Sequence, residues 1–326
     1  MRCSVLVVLA VACTPAKPYV PEAPKIDLPL QNVVEDEVQH AIDEWKPEAA
    51  FAIVLRDAEI VAVAGWEDGK TDAKLPLTKT YVTGSTLKAF TIAIALDEQA
   101  VQATDTFDCA PRTYPGAQLR DVESYDGDMQ SVRDILVKSS NVGASRIEDK
   151  LGLAKFEEGL KRFHFGAPPA PLPDTIAAGS YDEGMFAAGE LYATTPLQVA
   201  RAYDALFHDG LYEGPEGRTE AVSKATALAV QAMLEEAVKQ GTGEKAKIKN
   251  RRVIGKTGTA VYSADRVYAS FVGTVLDGPP ETILVGIVGS SKEGASGPSA
   301  AAPVFARIAE RMLQLDRRHR KNDDDD

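Results

Sequence analysis

The sequence predicts an α+β fold: an antiparallel sheet formed by both chain ends, flanked by helices, with an inserted, mostly helical subdomain. Three observations lead there. Runs of β-forming residues with period two or unbroken apolar character lie near the two ends, at Phe51 to Leu55 and Ile60 to Ala64, then at Val253 to Ala260, Val267 to Leu276 and Thr282 to Gly289. Between them, from about Val101 to Leu234, the apolar spacing is helical and broken by loops. The links between the late runs are short and polar, which suits antiparallel neighbours.

Taken in order, the chain opens on an export signal over residues 1–12: a minimal positive region, Met1-Arg2, an apolar stretch from Val5 to Ala12 too short to span a bilayer, and a small residue before Cys13. Cys13 is a candidate lipidation site, because Leu9-Ala10-Val11-Ala12-Cys13 looks like a degenerate bacterial lipoprotein box. Plain secretion, or a start codon further upstream that lengthens the segment into an anchor, is the alternative. Residues 13–30 carry Pro15, Pro18, Pro21, Pro24 and Pro29 and read as an extended tether. Membrane contact is expected only through this N-terminal segment, and the folded part is expected in the periplasm or cell envelope.

The folded domain is expected over residues 31–315. Val34, Val38, Ala41, Ile42 and Trp45 have helical spacing, and Arg56-Asp57-Ala58-Glu59 joins the first two strands as a hairpin. A buried helix starts at Ser85 and holds the most apolar helical run, Ala89 to Leu96. Loops fall at Tyr125 to Asp128 and at the proline-rich Ala167 to Pro173. Pro196 suits the first turn of a helix capped by Thr194 or Thr195. A last helix, from about Ala301 to Leu315, precedes a charged tail, residues 316–326, expected to be disordered.

Composition excludes some classes. The 326 residues are 44% hydrophobic and 26% charged with a formal net charge of -12, so a nucleic-acid partner, which needs clustered cations, is set aside. Cys3, Cys13 and Cys109 and the four histidines His40, His164, His208 and His319 have no metal-ligand spacing, so neither a metal nor a cofactor is expected. Cys109 reads as a small buried residue.

Three short motifs carry the chemistry. In Gly84-Ser85-Thr86-Leu87-Lys88, Ser85 and Lys88 share a face. Lys88 can take the Ser85 proton only if desolvation or a nearby cation keeps it neutral, and the apolar run supplies desolvation. Read alone, this is equally a capped helix with a surface lysine. Ser139-Ser140-Asn141 lies in a turn between two helices, where a hydroxyl and an amide can shuttle a proton and hold a carbonyl, or merely cap a helix. Lys256-Thr257-Gly258-Thr259 places a lysine and a glycine in a strand, where both are unfavourable. Gly258 lets a ligand backbone lie against the strand, Lys256 with the Thr257 and Thr259 hydroxyls can bind a carboxylate, and Lys256 can keep Lys88 neutral by repulsion. An edge strand with a protective lysine is the plain reading.

With these motifs in this order, the chain resembles the transpeptidase domain of class B penicillin-binding proteins, within the penicillin-interacting serine D,D-peptidase and β-lactamase superfamily. Lys138 to Gly143, Thr195 to Tyr203, Gly241-Thr242-Gly243, Gly255 to Ala260, Tyr268 to Gly273 and Ala301 to Phe305 all read like that family's blocks, and the likeness runs from about Ala50 to Leu315. It implies a D,D-peptidase/β-lactamase-like fold. It also implies a serine D,D-transpeptidase or carboxypeptidase acting on D-Ala-D-Ala peptidoglycan stem peptides, with β-lactams as inhibitors and other cell-wall synthesis proteins as partners. By that resemblance Ser85 is the nucleophile, Lys88 the base, Ser139 part of the proton path and Asn141 the holder of the substrate amide. Lys256, Thr257 and Thr259 receive the terminal carboxylate, and the Ser85 and Thr259 backbone N–H groups form the oxyanion hole. A class D-like β-lactamase with a modified Lys88, or a non-catalytic penicillin-binding sensor or scaffold, are the competing readings. The chain departs from the family pattern at Thr83, at Leu87 and at Ala187-Ala188-Gly189-Glu190, where a glycine-rich block is usual. The family's large N-terminal module and membrane-spanning helix do not fit into the residues before Phe51.

Overall fold

The computed structural model describes residues 25–121, 129–167, 170–214, 217–263, 266–278 and 280–323. The expected export signal, Cys13, and the loop at Tyr125 to Asp128 lie outside them, as does part of the proline-rich loop after Ala167. The first helix, α1 (Leu28–Trp45), leads into strands β1 (Ala49–Arg56), β2 (Glu59–Glu67) and the short β3 (Lys70–Thr71). The helical block includes α2 (Lys88–Asp97), α3 (Val132–Lys138), α4 (Asn141–Leu151) and α5 (Pro196–Phe207). Strands β4 (Val253–Ser263), β5 (Arg266–Val275) and β6 (Glu281–Val288) follow, and α6 (Ala302–Asp323) closes the chain.

These strands form one six-stranded sheet in the order β4-β5-β6-β1-β2-β3, so the two chain ends meet where β1 pairs with β6, Ala49 opposite Val288 and Arg56 opposite Glu281. Strict alternation divides the sheet's side chains between two cores. Ala50, Ala52 and Val54 of β1 join Val34, Phe271 and Phe305 under α1 and α6, whereas Phe51, Ile53 and Leu55 join Phe90, Leu136 and Tyr203 on the side of the helical block. On β4 the same parity puts Ile254 with the helical block and Val253 with the opposite layer. Lys256 is therefore committed to the helical side, two residues on from Ile254.

Helix α2 is the hub of the inserted block. Every residue from Lys88 to Ala95 is buried, and Phe90 meets Phe163, Phe165 and Tyr203 edge-on, each with ring centroids 4.9 Å apart. Thr195 caps α5 by accepting from the Gln198 N–H at 3.2 Å, as one of the two expected caps. Cys109 is buried, as expected. Among the described residues no helix is long and apolar enough to cross a membrane.

Three sequence expectations need correction. The tether expected over residues 13–30 ends earlier: α1 begins at Leu28 on an Asp27 cap, and Leu30 is buried. Pro29 misled, since proline is equally at home in a helix's first turn, where its missing N–H has no partner to lose. The tail expected to be disordered from residue 316 is helical as far as Asp323. Three arginines and a lysine between positions 317 and 321 have high helix propensity. Finally, α2 starts at Lys88 and not at Ser85, which sits in the preceding 3-10 turn, Gly84–Thr86.

Candidate active site

The 3-10 turn still brings Ser85 and Lys88 together, because three residues per turn puts i and i+3 in line. Ser85 Oγ lies 2.9 Å from Lys88 Nζ. The other partners of that nitrogen come from the turn between α3 and α4: the Ser139 carbonyl oxygen at 2.6 Å, Asn141 Oδ1 at 2.5 Å and Ser139 Oγ at 3.4 Å. Two of these, the carbonyl and the amide oxygen, can only accept. A neutral amine has two N–H bonds to give them, and its lone pair is then left facing the Ser85 hydroxyl. This is the arrangement a proton acceptor requires.

The turn is built for that purpose by ordinary capping. Ser139 ends α3 in the left-handed region (φ 65°), which swings its carbonyl toward Lys88, and Ser140 starts α4 by accepting from the Gly143 N–H at 2.8 Å. Asn141 is oriented from both ends of its amide, since Nδ2 donates to the Arg120 carbonyl at 3.2 Å while Oδ1 faces Lys88. Its amide is thus engaged within the protein, holding the base in place.

From the sheet side, Lys256 donates to Ser139 Oγ at 2.8 Å and to the Thr257 carbonyl at 3.2 Å. Both lysines are 0% exposed. Burial lowers the Lys88 ammonium to about 8, against the opposing pull of Glu190 and Asp121. Lys256 is pushed well below the ordinary lysine value, first by burial and then by repulsion from Lys88. Repulsion between the two ammonium groups adds to burial at Lys256, and burial brings Lys88 down far enough that a fraction of it is neutral near pH 7.

Thr257 and Thr259 obey the opposite parity and project away from the lysines. Thr257 Oγ1 shares a hydrogen bond of 2.7 Å with Thr242 Oγ1, and Thr259 Oγ1 accepts from the Gly297 N–H at 3.0 Å. Gly258 makes the close approach between β4 and the nucleophile turn: a Cβ there would meet Ser270 Oγ at 2.4 Å and Thr86 Cγ2 at 2.9 Å. Gly84 (φ 56°) meets the strand from the other side, its would-be Cβ 3.1 Å from the Thr259 carbonyl oxygen. The Ser85 and Thr259 backbones therefore flank one seam. All of the residues singled out from Ser85 to Thr259 come together here. Thr242, Asp121 and Glu190 were missed as site residues, although Thr242 and Glu190 lie in segments the sequence comparison with the family had already marked.

A family model described as the penicillin binding protein transpeptidase domain matches residues 49–310. The chain belongs to that family. This penicillin-binding transpeptidase domain is 26% identical to stage V sporulation protein D of Bacillus subtilis, covering 95% of this chain and 56% of that protein. It is 28% identical to the probable peptidoglycan D,D-transpeptidase FtsI of Caulobacter vibrioides, covering 88% and 57% respectively. Among solved structures, the apo transpeptidase domain of Burkholderia pseudomallei penicillin-binding protein 3 superposes with a TM-score of 0.77 at 25% identity, covering 92% of this chain and 98% of that one. The chain thus spans a little over half the length of these two curated relatives.

Proposed function

We propose that this chain is a serine D,D-transpeptidase of peptidoglycan synthesis. The observation that carries the reading is the continuous line Ser85 Oγ, Lys88 Nζ, Ser139 Oγ, Lys256 Nζ, with the buried Lys88 Nζ 2.9 Å from the serine oxygen. In acylation, neutral Lys88 takes the hydroxyl proton as Ser85 Oγ attacks the carbonyl of the penultimate D-alanine. The negative charge that develops on the carbonyl oxygen is met by the Ser85 and Thr259 backbone N–H groups at the seam. The proton passes by way of Ser139 to the departing D-alanine nitrogen, and an ester to Ser85 remains. The Thr257 and Thr259 hydroxyls, on the face of the strand turned away from the Lys256 side chain, receive the terminal carboxylate, and a negative charge there favours the protonated form of Lys256 behind them. An amine of a second stem peptide then resolves the ester. A penicillin follows the same path and stalls as the acyl adduct.

The competing β-lactamase reading, with a modified Lys88, loses support because Nζ is already held by Ser85, Ser139 and Asn141. Export by residues 1–12, attachment through Cys13 and a tethered domain in the cell envelope complete the proposal; the likeness to a protein named as a probable peptidoglycan D,D-transpeptidase supports the envelope setting. The test is incubation with a fluorescent penicillin, with Ser85→Ala as control. A long-lived, Ser85-dependent adduct is the expected result, and a D-Ala-D-Ala peptide with an added amine acceptor should then give cross-linked product. Rapid loss of the label would favour a β-lactamase, and absence of label would leave only a scaffold.

A further inference from the structure

Glu190 stands where the sequence departs from its family's glycine-rich block, and the fold holds it next to the nucleophile. Residues 81–84 and 189–194 run antiparallel: Tyr81 pairs with Thr194 and Val82 with Ala193, and the Thr83 N–H donates to the Tyr192 carbonyl at 2.8 Å. The ladder resumes at Gly84, whose N–H donates to the Gly189 carbonyl at 3.0 Å, and the Thr83 hydroxyl grips the same oxygen at 3.2 Å. Gly189 has φ 89° and lies so close that a Cβ would stand 1.9 Å from the Gly84 carbonyl oxygen. Glu190 and Leu191 are left as a two-residue excursion, half-buried and exposed respectively, one residue beyond the contact that fixes Gly84.

The Glu190 carboxylate makes no hydrogen bond or ion pair with any described residue, yet its charge acts on Lys88. Asp121 also acts on Lys88, but Asp121 is committed to the fold: its Oδ1 accepts from the Val142 N–H at 3.0 Å at the start of α4. Lys88 itself faces Ser139 and Asn141, so the proton acceptor of acylation is occupied on the α3–α4 side, whereas Glu190 follows the residue whose carbonyl holds the Gly84 N–H, immediately before Ser85. Burial pushes its carboxyl above the usual range, opposed by Lys88, which makes the ionised form a stronger proton acceptor.

We infer that Glu190 takes the proton from the nucleophile, water or an amine, that resolves the ester on Ser85. This rests on the acyl-enzyme reading above. The nucleophile's H–X bond breaks as the proton moves to a Glu190 oxygen, and X bonds to the acyl carbon. The adduct collapses with cleavage of the bond from that carbon to Ser85 Oγ. The proton collected by Glu190 passes to Lys88, which acylation left neutral, and from Lys88 to the departing Oγ, so Glu190 ends ionised, Lys88 neutral and Ser85 protonated, as before acylation.

The experiment uses the full chain and a thioester analogue of an acyl-D-alanine donor, whose acylation is fast enough to expose deacylation, with and without D-alanine as amine acceptor. For Glu190→Gln the expected result is a fall in turnover of about tenfold or more, accumulation of acyl-protein by mass, and loss of the acid limb of the kcat pH profile. Glu190→Asp should recover part of the rate. A fall in the hydrolysis product alone assigns the proton to water, and an equal fall in the D-alanine adduct assigns it to either nucleophile. Turnover of Glu190→Gln within twofold of the unaltered protein, or a fall no larger than that in the acylation rate constant, overturns the inference. The two failures are told apart at the start: absence of a Ser85-dependent penicillin adduct in the unaltered chain overturns the acyl-enzyme reading and this inference with it, whereas a normal adduct with an unchanged lifetime in Glu190→Gln overturns this one alone.

Discussion

Replacing Lys88 by methionine keeps the volume of the side chain and removes the amine. Burial sets that amine at about 8 where a free lysine stands at 10.5. At pH 7 about one molecule in ten then holds a neutral base, against about three in ten thousand for an exposed lysine, a gain of about 300-fold. The unaltered protein should therefore acylate with a second-order rate constant that rises about tenfold per pH unit from pH 6 and levels off above pH 8. Lys88→Met should lose roughly 10²–10⁴-fold and the slope with it. Stability should respond differently. The lowered amine means that the unfolded chain binds more protons between pH 8 and 10.5, so the native state is destabilised at pH 7 by about 3 kcal/mol, a penalty that vanishes as pH rises through that window. Methionine removes the penalty but leaves the Ser139 carbonyl and Asn141 Oδ1 without a donor, at roughly 1–3 kcal/mol each. The opposing effects are of similar size, so the unfolding midpoint should move little. The assay is stopped-flow or gel-based labelling by a fluorescent penicillin from pH 5.5 to 10, with urea unfolding alongside. A flat profile between pH 6 and 9, or near-normal labelling of Lys88→Met, would refute the reasoning.

Other substitutions probe the frame. Gly189→Ala forces a Cβ against the Gly84 carbonyl at a left-handed φ; it should destabilise by about 1–3 kcal/mol and slow acylation at a temperature where the protein is still folded, both read from urea curves and labelling rates. Phe305→Ala empties the position packed against Phe271, whose ring is tilted to it with centroids 4.6 Å apart, and should cost about 3–5 kcal/mol in a denaturant titration. Glu148 is wholly buried on α4, its carboxyl raised by burial and by Glu183 and Asp149 against the pull of Arg112. The native state keeps a proton that the unfolded chain releases above its ordinary value of 4.5, so stability should decline as pH rises from there toward alkaline values. Glu148→Gln should flatten that decline in unfolding midpoints taken at pH 5, 7 and 9, and an unchanged slope would count against a proton retained on Glu148.

Much of this architecture could be read from residue types because the signals were local. The hairpin and the three late strands follow from alternation, and β4 drew notice because Lys256 and Gly258 are poor strand residues. Ser139-Ser140-Asn141 illustrates a limit of asking whether a motif caps or catalyses. Ser140 and Ser139 do the capping, and by doing so aim the Ser139 carbonyl and Asn141 at Lys88. What escaped was set by tertiary contact. Nothing near Thr242 in the chain announces that its hydroxyl will meet Thr257, and Glu190 acquires its position only when Gly189 docks on Gly84. The end of the tether was misplaced for a different reason: proline is favourable both in extended chain and in a first helical turn, so Pro29 could not discriminate.

The seam between β1 and β6 has a consequence for biosynthesis. Ala49 cannot find Val288, nor Arg56 its partner Glu281, until the entire stretch between β1 and β6 has left the ribosome. The early hairpin must wait with one long edge open, and loop closure over such a separation is slow. A chain that waits in this state is a natural client for holding chaperones until the residues of β6 arrive.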